Sequence, residues 1–414
     1  MDVSSSRLHY GWVILAVSVL MVLGCVGFAR FGYTMILPEM QESLDLNNTQ
    51  TGTLATVNFV GYLVLALLGG LLASRYGPRR VVALSMLVTG VAMALTGSAG
   101  GFLAAIVWRT LAGAGSGGSN VPVMALLPAW FSPRRRGLAA GIAVGGSSLA
   151  LVSTGYLVPR ILDAYGSDGW RVSWIVLGAA VVALGLVGLV LLRDRPADKG
   201  LRPVGAADAP NTPADPERTS ALDWGLVYRS GPVWRLALVY IAFGFSYIIY
   251  VTYFAKYLQG EAGYTKEAAG SLWAVVGWVS IVCGLIWGTI SDLLGRRYGL
   301  ALVYLVQAAA YAAFALWRSP AGYLVSAIGF GLTAWSIPGI VSAACGDYVG
   351  SRLAGAALGF VTLFFGLGQA AGPAVAGWLT DATGSFRPAL LLAAGVALLG
   401  CIGSLLLRPS RRES

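Results

Sequence analysis

The chain has 414 residues, of which 57% are hydrophobic and 11% are charged, and its formal net charge is +10. An ordinary soluble domain carries about 25% charged residues, so this composition excludes a soluble globular protein and predicts a polytopic membrane protein. The positive charge does not indicate a nucleic-acid binder, because the basic residues lie between long apolar runs and form no stripe on a soluble face.

Six apolar runs in the first half are each long enough to cross a hydrocarbon core of about 30 Å as a helix. They cover residues 10–37, 50–73, 79–97, 102–129, 137–161 and 170–192, and Pro38 is expected to close the first. Residues 193–232 are rich in proline and charge, which predicts a linker with a short surface helix around Leu222–Tyr228. Six more runs follow, over 233–258, 266–291, 297–316, 320–345, 353–380 and 386–407.

These runs predict an all-α fold with twelve transmembrane helices. A six-helix bundle is expected at 1–192, a cytoplasmic linker at 193–232 and a second bundle at 233–414. Alternate joints between the runs must lie on opposite sides of the membrane. The joints and tails on one side hold twenty Lys and Arg residues, including Arg7, Arg408, Arg411 and Arg412, and those on the other side hold six. This positive-inside pattern predicts a multi-pass protein with both termini in the cytoplasm. The membrane is expected to be the cell membrane, of the inner-membrane type.

The two halves share a repeated plan. The joint Gly70–Arg80 returns as Gly288–Arg297, and the subtractions 288 − 70 and 295 − 77 both give 218. The same offset relates Asp163, Gly166 and Gly141 to Asp381, Gly384 and Gly359. Because each half holds an even number of spans, the copies should be parallel repeats about an axis along the membrane normal.

Six plus six spans, a central linker and the joint after span two together resemble the major facilitator superfamily, whose signature is G-x-x-x-[DE]-[RK]-x-G-x-[RK]-[RK]. The matching residues are Gly70, Arg75, Gly77, Arg79 and Arg80 in the first copy, and Gly288, Asp292, Gly295, Arg296 and Arg297 in the second. The resemblance implies a gate that latches the cytoplasmic ends of the halves, weakened where Ser74 replaces the usual acid. The alternative is that these charges only fix the topology.

Two further stretches resemble parts of that family. Arg109-Thr-Leu-Ala-Gly113-Ala-Gly115 is similar to its R-x-x-x-G-x-G in span four, and Tyr10-Gly11-Trp12 is similar to the start of its oxalate/formate and monocarboxylate branch. The basic residues which that branch often carries in spans eight and eleven are absent from this sequence. The substrate-binding residues of that branch therefore cannot be assigned to this chain directly. The Gly-Pro pair that marks exporters in span five is absent as well.

No enzyme, cofactor or metal site is predicted. The sequence has no deep carboxylate pair and no nucleophile with a base. Cys25, Cys283, Cys345 and Cys401 have no metal or disulfide spacing. Gly113–Gly118 matches G-x-G-x-x-G but lies inside a span and follows no strand, so it predicts no dinucleotide cofactor.

Two charges at membrane depth, Arg30 and Arg109, are candidate functional groups because such charges are costly. No Asp, Glu or His lies well inside a span, so an anionic substrate could supply the missing counter-charge. The alternatives are that Arg30 extends to the outer surface and that Arg109 ties span four to span one.

Span seven carries an aromatic stripe at helical spacing, from Tyr240 to Tyr257. Gly27–Tyr33 aligns with Gly244–Tyr250 at an offset of 217, which predicts that Arg30 faces Tyr247. Either the tyrosines orient a small carboxylate or the stripe packs against neighbouring helices. The complete predicted substrate site is Arg30, Tyr33, Arg109, Asn120, Tyr247, Tyr250, Trp335 and Gln369.

These features predict a secondary transporter of small organic anions, mono- or dicarboxylates, which works by alternating access as a monomer in the lipid bilayer. Because the sequence has no ATP-binding motif, transport should be driven by ion or substrate gradients, as anion exchange or proton-linked symport. One alternative is an exporter of amphiphilic or drug-like compounds. Another is a transport-inactive sensor, for which an additional soluble domain is expected.

Overall fold

A computed structural model describes residues 9–132, 134–205 and 225–407, except the side chains of residues 351 and 352. Residues 206–224 of the linker and both basic termini, with Arg7, Arg408, Arg411 and Arg412, therefore lie outside the described residues. The described chain is nearly all helix. Of the surface helix predicted around Leu222–Tyr228, the structure describes the four residues Gly225–Tyr228.

Each half contributes six long helices. The first six are α1 (Tyr10–Ser43), α2 (Asn48–Tyr76), α3 (Pro78–Gly97), α4 (Phe102–Trp130), α5 (Arg136–Tyr165) and α6 (Gly169–Leu191). The second six are α7 (Gly231–Gly260), α8 (Lys266–Ser280 and Cys283–Leu294), α9 (Arg296–Leu316), α10 (Pro320–Gly350), α11 (Leu353–Thr383) and α12 (Arg387–Leu405).

Nine helical stretches of the described chain are long and apolar enough to cross a membrane, and the bent α8 makes a tenth. One of the nine, Arg136–Leu191, contains both α5 and α6. The glycine-rich α4 has 29 residues, about 43 Å of helix. These segments occupy the positions of the twelve predicted spans, so the observed architecture is consistent with the predicted one.

Two details differ from the expected spans. Pro38 does not end α1, which continues to Ser43. A proline is tolerated inside a membrane helix where neighbouring groups compensate for its missing N–H. In α8, the two pieces are bent by 45° around residues 281 and 282.

The repeated glycines make equivalent turns in the two halves. Gly77 ends α2 with φ of +85°, and Gly295 ends α8 with φ of +94°. At the opposite end of the bundle, Gly166 and Gly384 have φ values of +54° and +72°. Only glycine adopts positive φ without a steric penalty, so the residue spacing found in the sequence marks matching turns in the structure.

The halves meet through α1 and α7, α2 and α11, and α5 and α8. Thr34 Oγ1 of α1 donates to the Val251 carbonyl of α7 at 2.9 Å, and 251 − 34 gives 217, the offset found for these two helices. Repeat-equivalent residues can touch each other only near the axis that relates the copies. The contact therefore places α1 and α7 beside that axis.

The end of the bundle away from the linker holds the halves together, and we call it the closed end. Asp381 of α11 accepts four hydrogen bonds of 2.6–3.0 Å from the backbone and side chains of Asn48 and Thr49, at the start of α2. Lys266 of α8 pairs with Glu39 of α1 at 3.0 Å. The halves are thus joined by polar contacts at this end.

Toward the other end, which we call the linker end, the helices leave open space. Contacts between α5 and α8 run from Gly155 and Gly270 at the closed end to Ser148 and Ser280 near the middle. A Cβ on Gly141, nearer the linker end of α5, would meet no atom within 4 Å. The same holds for its repeat partner Gly359 in α11, for Gly70 and for Gly288. The space between the halves is therefore open at the linker end.

Candidate functional site

Arg30 lies near the middle of α1, at the end of a π-helical stretch, Leu23–Phe31. Its guanidinium carbon is 4.6 Å from the ring centroid of Phe59 and 4.7 Å from that of Tyr62, both on α2. These cation–π contacts hold the guanidinium without using its N–H groups. Nε and Nη2 are buried and have no hydrogen-bond partner among the described residues. Arg30 is therefore a positive charge at membrane depth with two donor nitrogens, Nε and Nη2, that have no partner among the described residues.

Two tyrosines flank Arg30, one from each half of the chain. The Tyr62 hydroxyl accepts a hydrogen bond from Asn120 Nδ2 of α4 at 2.9 Å. The Tyr247 hydroxyl of α7 lies beside Arg30 and accepts a hydrogen bond from Gln369 Nε2 of α11. The structure thus brings together four of the predicted site residues, Arg30, Asn120, Tyr247 and Gln369. We call these four residues and Tyr62 the Arg30 cluster.

Trp335 lies at the edge of the same space, in the break of α10. Its ring centroid is 5.3 Å from that of Phe31, the residue after Arg30. Its Nε1 donates to Ser148 Oγ of α5 at 3.0 Å, and Ser280 of α8 donates to the same hydroxyl at 2.8 Å. Trp335 therefore joins the two halves beside the Arg30 cluster.

Tyr33 and Arg109 lie elsewhere, inside the first half. Arg109 is 1% exposed, and its Nη1 donates to the Ala29 carbonyl of α1 at 2.9 Å. Its guanidinium carbon is 4.6 Å from the Tyr33 ring centroid and 5.0 Å from that of Trp174. This geometry fits the alternative in which Arg109 ties span four to span one.

The aromatic stripe of α7 divides into two groups. Tyr240, Phe243 and Tyr247 stack with Phe365 of α11, at centroid distances of 4.6–6.0 Å. Tyr250 turns the other way, and its hydroxyl is 2.9 Å from Ser326 Oγ of α10. Phe254 and Tyr257 pack against Phe314 of α9. The closed-end part of the stripe is therefore core of the second half, which fits the packing alternative.

The predicted gate residues make contacts within their own halves. The Arg79 amide donates to Asp194 Oδ1 at 2.8 Å, and Arg296 pairs with Asp292 and with Asp347 of α10. Arg75 and Arg297 lie over the rings of the tyrosines that follow them. Arg80 is exposed, and Ser74 Oγ donates to the carbonyl of Leu71. Their gating role stays a prediction.

Sequence reasoning did not single out Phe59 and Tyr62. They are spaced by three, which places both rings on one face of α2, and this spacing is the available signal. It was insufficient because apolar rings at helical spacing are ordinary core residues. Only the fold shows that this face of α2 meets Arg30.

A family model described as Major Facilitator Superfamily matches residues 19–355. The chain is also similar in fold to a crystal structure of a bacterial homologue of the human lysosomal transporter Spinster, in an inward-facing and unoccupied conformation. The TM-score is 0.77 at 16% identity, over 97% of this chain and 98% of that one. These two findings agree with the fold expected from the signature.

Three relatives cover nearly the whole chain. The probable sulfoacetate transporter SauU of Cupriavidus necator is 25% identical over 92% of this chain and 90% of its own length. The hexuronate transporter of Bacillus subtilis is 25% identical over 90% and 89%. The membrane sensor protein UhpC of Salmonella typhimurium is 28% identical over 90% and 86%. An additional domain therefore does not separate sensors from transporters among these relatives.

Proposed function

The chain belongs to the major facilitator superfamily and is a membrane transporter, and from that premise we propose that it carries a small organic anion that binds at Arg30. The halves would rock about this central site, so that the site opens first to one side of the membrane and then to the other. The linker end, open here, corresponds to the cytoplasmic side in this proposal.

The observation that carries the proposal is the unsatisfied guanidinium of Arg30. A charge at this depth costs several kcal/mol unless it is compensated, and no carboxylate of the described chain pairs with it. A carboxylate or sulfonate that binds directly beside Arg30 would neutralise the charge and accept hydrogen bonds from the guanidinium. The names of two relatives, transporters of sulfoacetate and hexuronate, agree with an anionic substrate.

An amphiphilic or drug-like substrate has less support. That alternative depends on aromatic rings that line the space between the halves. Tyr250, Phe254 and Tyr257 instead pack inside the second half. The anion is therefore the better-supported substrate.

The test is uptake of labelled carboxylates and sulfonates into liposomes that contain the purified protein. Losing a hydrogen bond to a charged group costs about 1.5–3 kcal/mol, so Arg30→Gln should reduce uptake at least about tenfold. Arg160→Gln, on the exposed part of α5, removes the same charge away from the site and should leave uptake unchanged. Equal uptake by Arg30→Gln and the unaltered protein would exclude Arg30 as the binding group.

A further inference from the structure

Each half of the chain contributes one tyrosine–amide pair to the Arg30 cluster. The pairs are Tyr62 with Asn120 and Tyr247 with Gln369. A tyrosine hydroxyl and a primary amide together have three N–H or O–H donors, and the bond within the pair uses one of them. As oriented here, the amides donate, so both hydroxyl protons stay free. If an amide were turned over, its NH2 group would be free instead, and the pair would still offer a donor.

The cluster therefore surrounds Arg30 with donors and contributes no negative group. A carboxylate accepts hydrogen bonds only, through two oxygens with about four lone-pair positions. The guanidinium and the two hydroxyls match one such group, and they match a sulfonate equally well. The residues around Arg30 can thus satisfy a single anionic group completely.

Among the described residues, a second anionic group beside the cluster would find no cation to contact. Arg109 is the other positive charge at membrane depth, but it is 1% exposed and is enclosed by Tyr33 and Trp174. It adds positive potential at the site without reaching a ligand. A second carboxylate on the same carbon skeleton would lie against the stacked rings of Tyr240, Phe243 and Phe365. Without a partner, that charge loses hydration and gains no ion pair.

We infer that the Arg30 cluster selects organic anions with one negative charge over those with two, and that Tyr62 and Tyr247 bind the single anionic group beside Arg30. The inference rests on the proposed function, because it concerns the same site. The two named transporters do not decide the matter between them, since sulfoacetate carries two anionic groups and a hexuronate carries one. Tyr62 is the residue newly assigned to the site.

The test compares anions that differ by one charge on the same carbon skeleton. Binding to the full-length purified protein is measured by thermal shift and by competition against uptake, with succinate beside monomethyl succinate and malonate beside monomethyl malonate. Sulfoacetate and glucuronate complete the panel. We expect each monoanion to bind about tenfold or more tightly than its dianion at neutral pH.

The tyrosines are tested by Tyr62→Phe and Tyr247→Phe, which keep the rings and remove the hydroxyls. Each change should weaken monoanion binding about threefold to tenfold, as expected for one hydrogen bond. The control is Tyr311→Phe, since that ring packs against Tyr250 and Phe330 in the core of the second half. Binding should be unchanged in this variant.

The possible results separate the inference from the proposed function. If dianions bind as tightly as their monoesters, the inference is wrong while the anion transporter stands. If both tyrosine variants bind monoanions like the unaltered protein, the role of the two hydroxyls in binding the anionic group is wrong. If no carboxylate or sulfonate of the panel binds, the proposed function fails and the inference fails with it. The comparison on the unaltered protein decides the charge preference even where a variant does not fold.

Discussion

Two arginines at membrane depth have opposite surroundings in this chain. Arg109 is enclosed by Tyr33 and Trp174, and its Nη1 donates to the Ala29 carbonyl, although its Nε has no partner among the described residues. Arg30 lies over two rings of α2 and keeps two buried nitrogens without partners. The same residue type thus ties two helices together in one place and, in the proposed function, binds the substrate in the other.

This difference predicts different effects for the two arginines when each is changed to glutamine. Arg109→Gln should lower stability by about 1.5–3 kcal/mol, because a hydrogen bond from a charged donor and two cation–π contacts are lost. Arg30→Gln should cost less stability, because the loss of its two cation–π contacts is offset by the removal of an unpaired charge. Thermal unfolding in one detergent measures both. A larger stability loss for Arg30→Gln would contradict these assignments.

At the scale of single helices, the π-helical stretch of α1 decides where Arg30 lies. π-helical turns are rare and are frequent at functional sites. Gly27 in this stretch packs against α5, where an added Cβ would lie 2.1 Å from the Cβ of Ala150. The stretch therefore holds α1 close to α5 and presents Arg30 beside α2 and α7.

The closed end depends on contacts between helix termini. Asp381 caps the start of α2 from the other half, where four orphan N–H groups and the helix dipole favour a carboxylate. Asp381→Ala should cost about 1 kcal/mol at this contact, which changes a two-state equilibrium about fivefold toward opening. Spin labels at the exposed positions Glu42 and Ala382 should then report a longer mean distance between the halves.

The matched control for that prediction is Asp168→Ala. Asp168 lies between α5 and α6 at the same end, and its carboxylate is 74% exposed and pairs with Arg171 within its own half. This variant should keep the original distance. If Asp381→Ala also keeps it, the cap across the halves does not hold the closed end shut.

For the whole molecule, alternating access requires the linker end to close when the opposite end opens. Gly141 and its repeat partner Gly359 have open space in this structure. We expect this space to disappear when the halves approach, because close approach of membrane helices depends on small residues. The repeat thus places a small residue at the same level in both halves.

A bulky residue at this level should trap the conformation described here. Gly141→Trp should retain anion binding, since the Arg30 cluster is untouched, and should lose nearly all uptake. The comparison is Gly395→Trp in α12, an exposed position that also has open space but does not lie between the halves. Thermal shift measures binding and liposome uptake measures transport. Normal uptake by Gly141→Trp would mean that the linker end does not close there.

Sequence by itself determined the membrane class, the helical fold and the repeated turns. These features are local: an apolar run of sufficient length must satisfy its backbone as a helix in lipid, and Gly77 and Gly295 permit a backbone angle that other residues avoid. The same reasoning found Arg30, because a lone charge inside an apolar run is visible without any structure.

Only the tertiary structure decided which side chains meet Arg30. Tyr247 and Tyr250 lie on the same stripe of α7, yet one lies beside Arg30 and the other packs in the second-half core. Tyr62 is ordinary in sequence and reaches Arg30 through the packing of α2 against α1. The rotation and crossing of helices far apart in the chain set these contacts, and no local pattern records them.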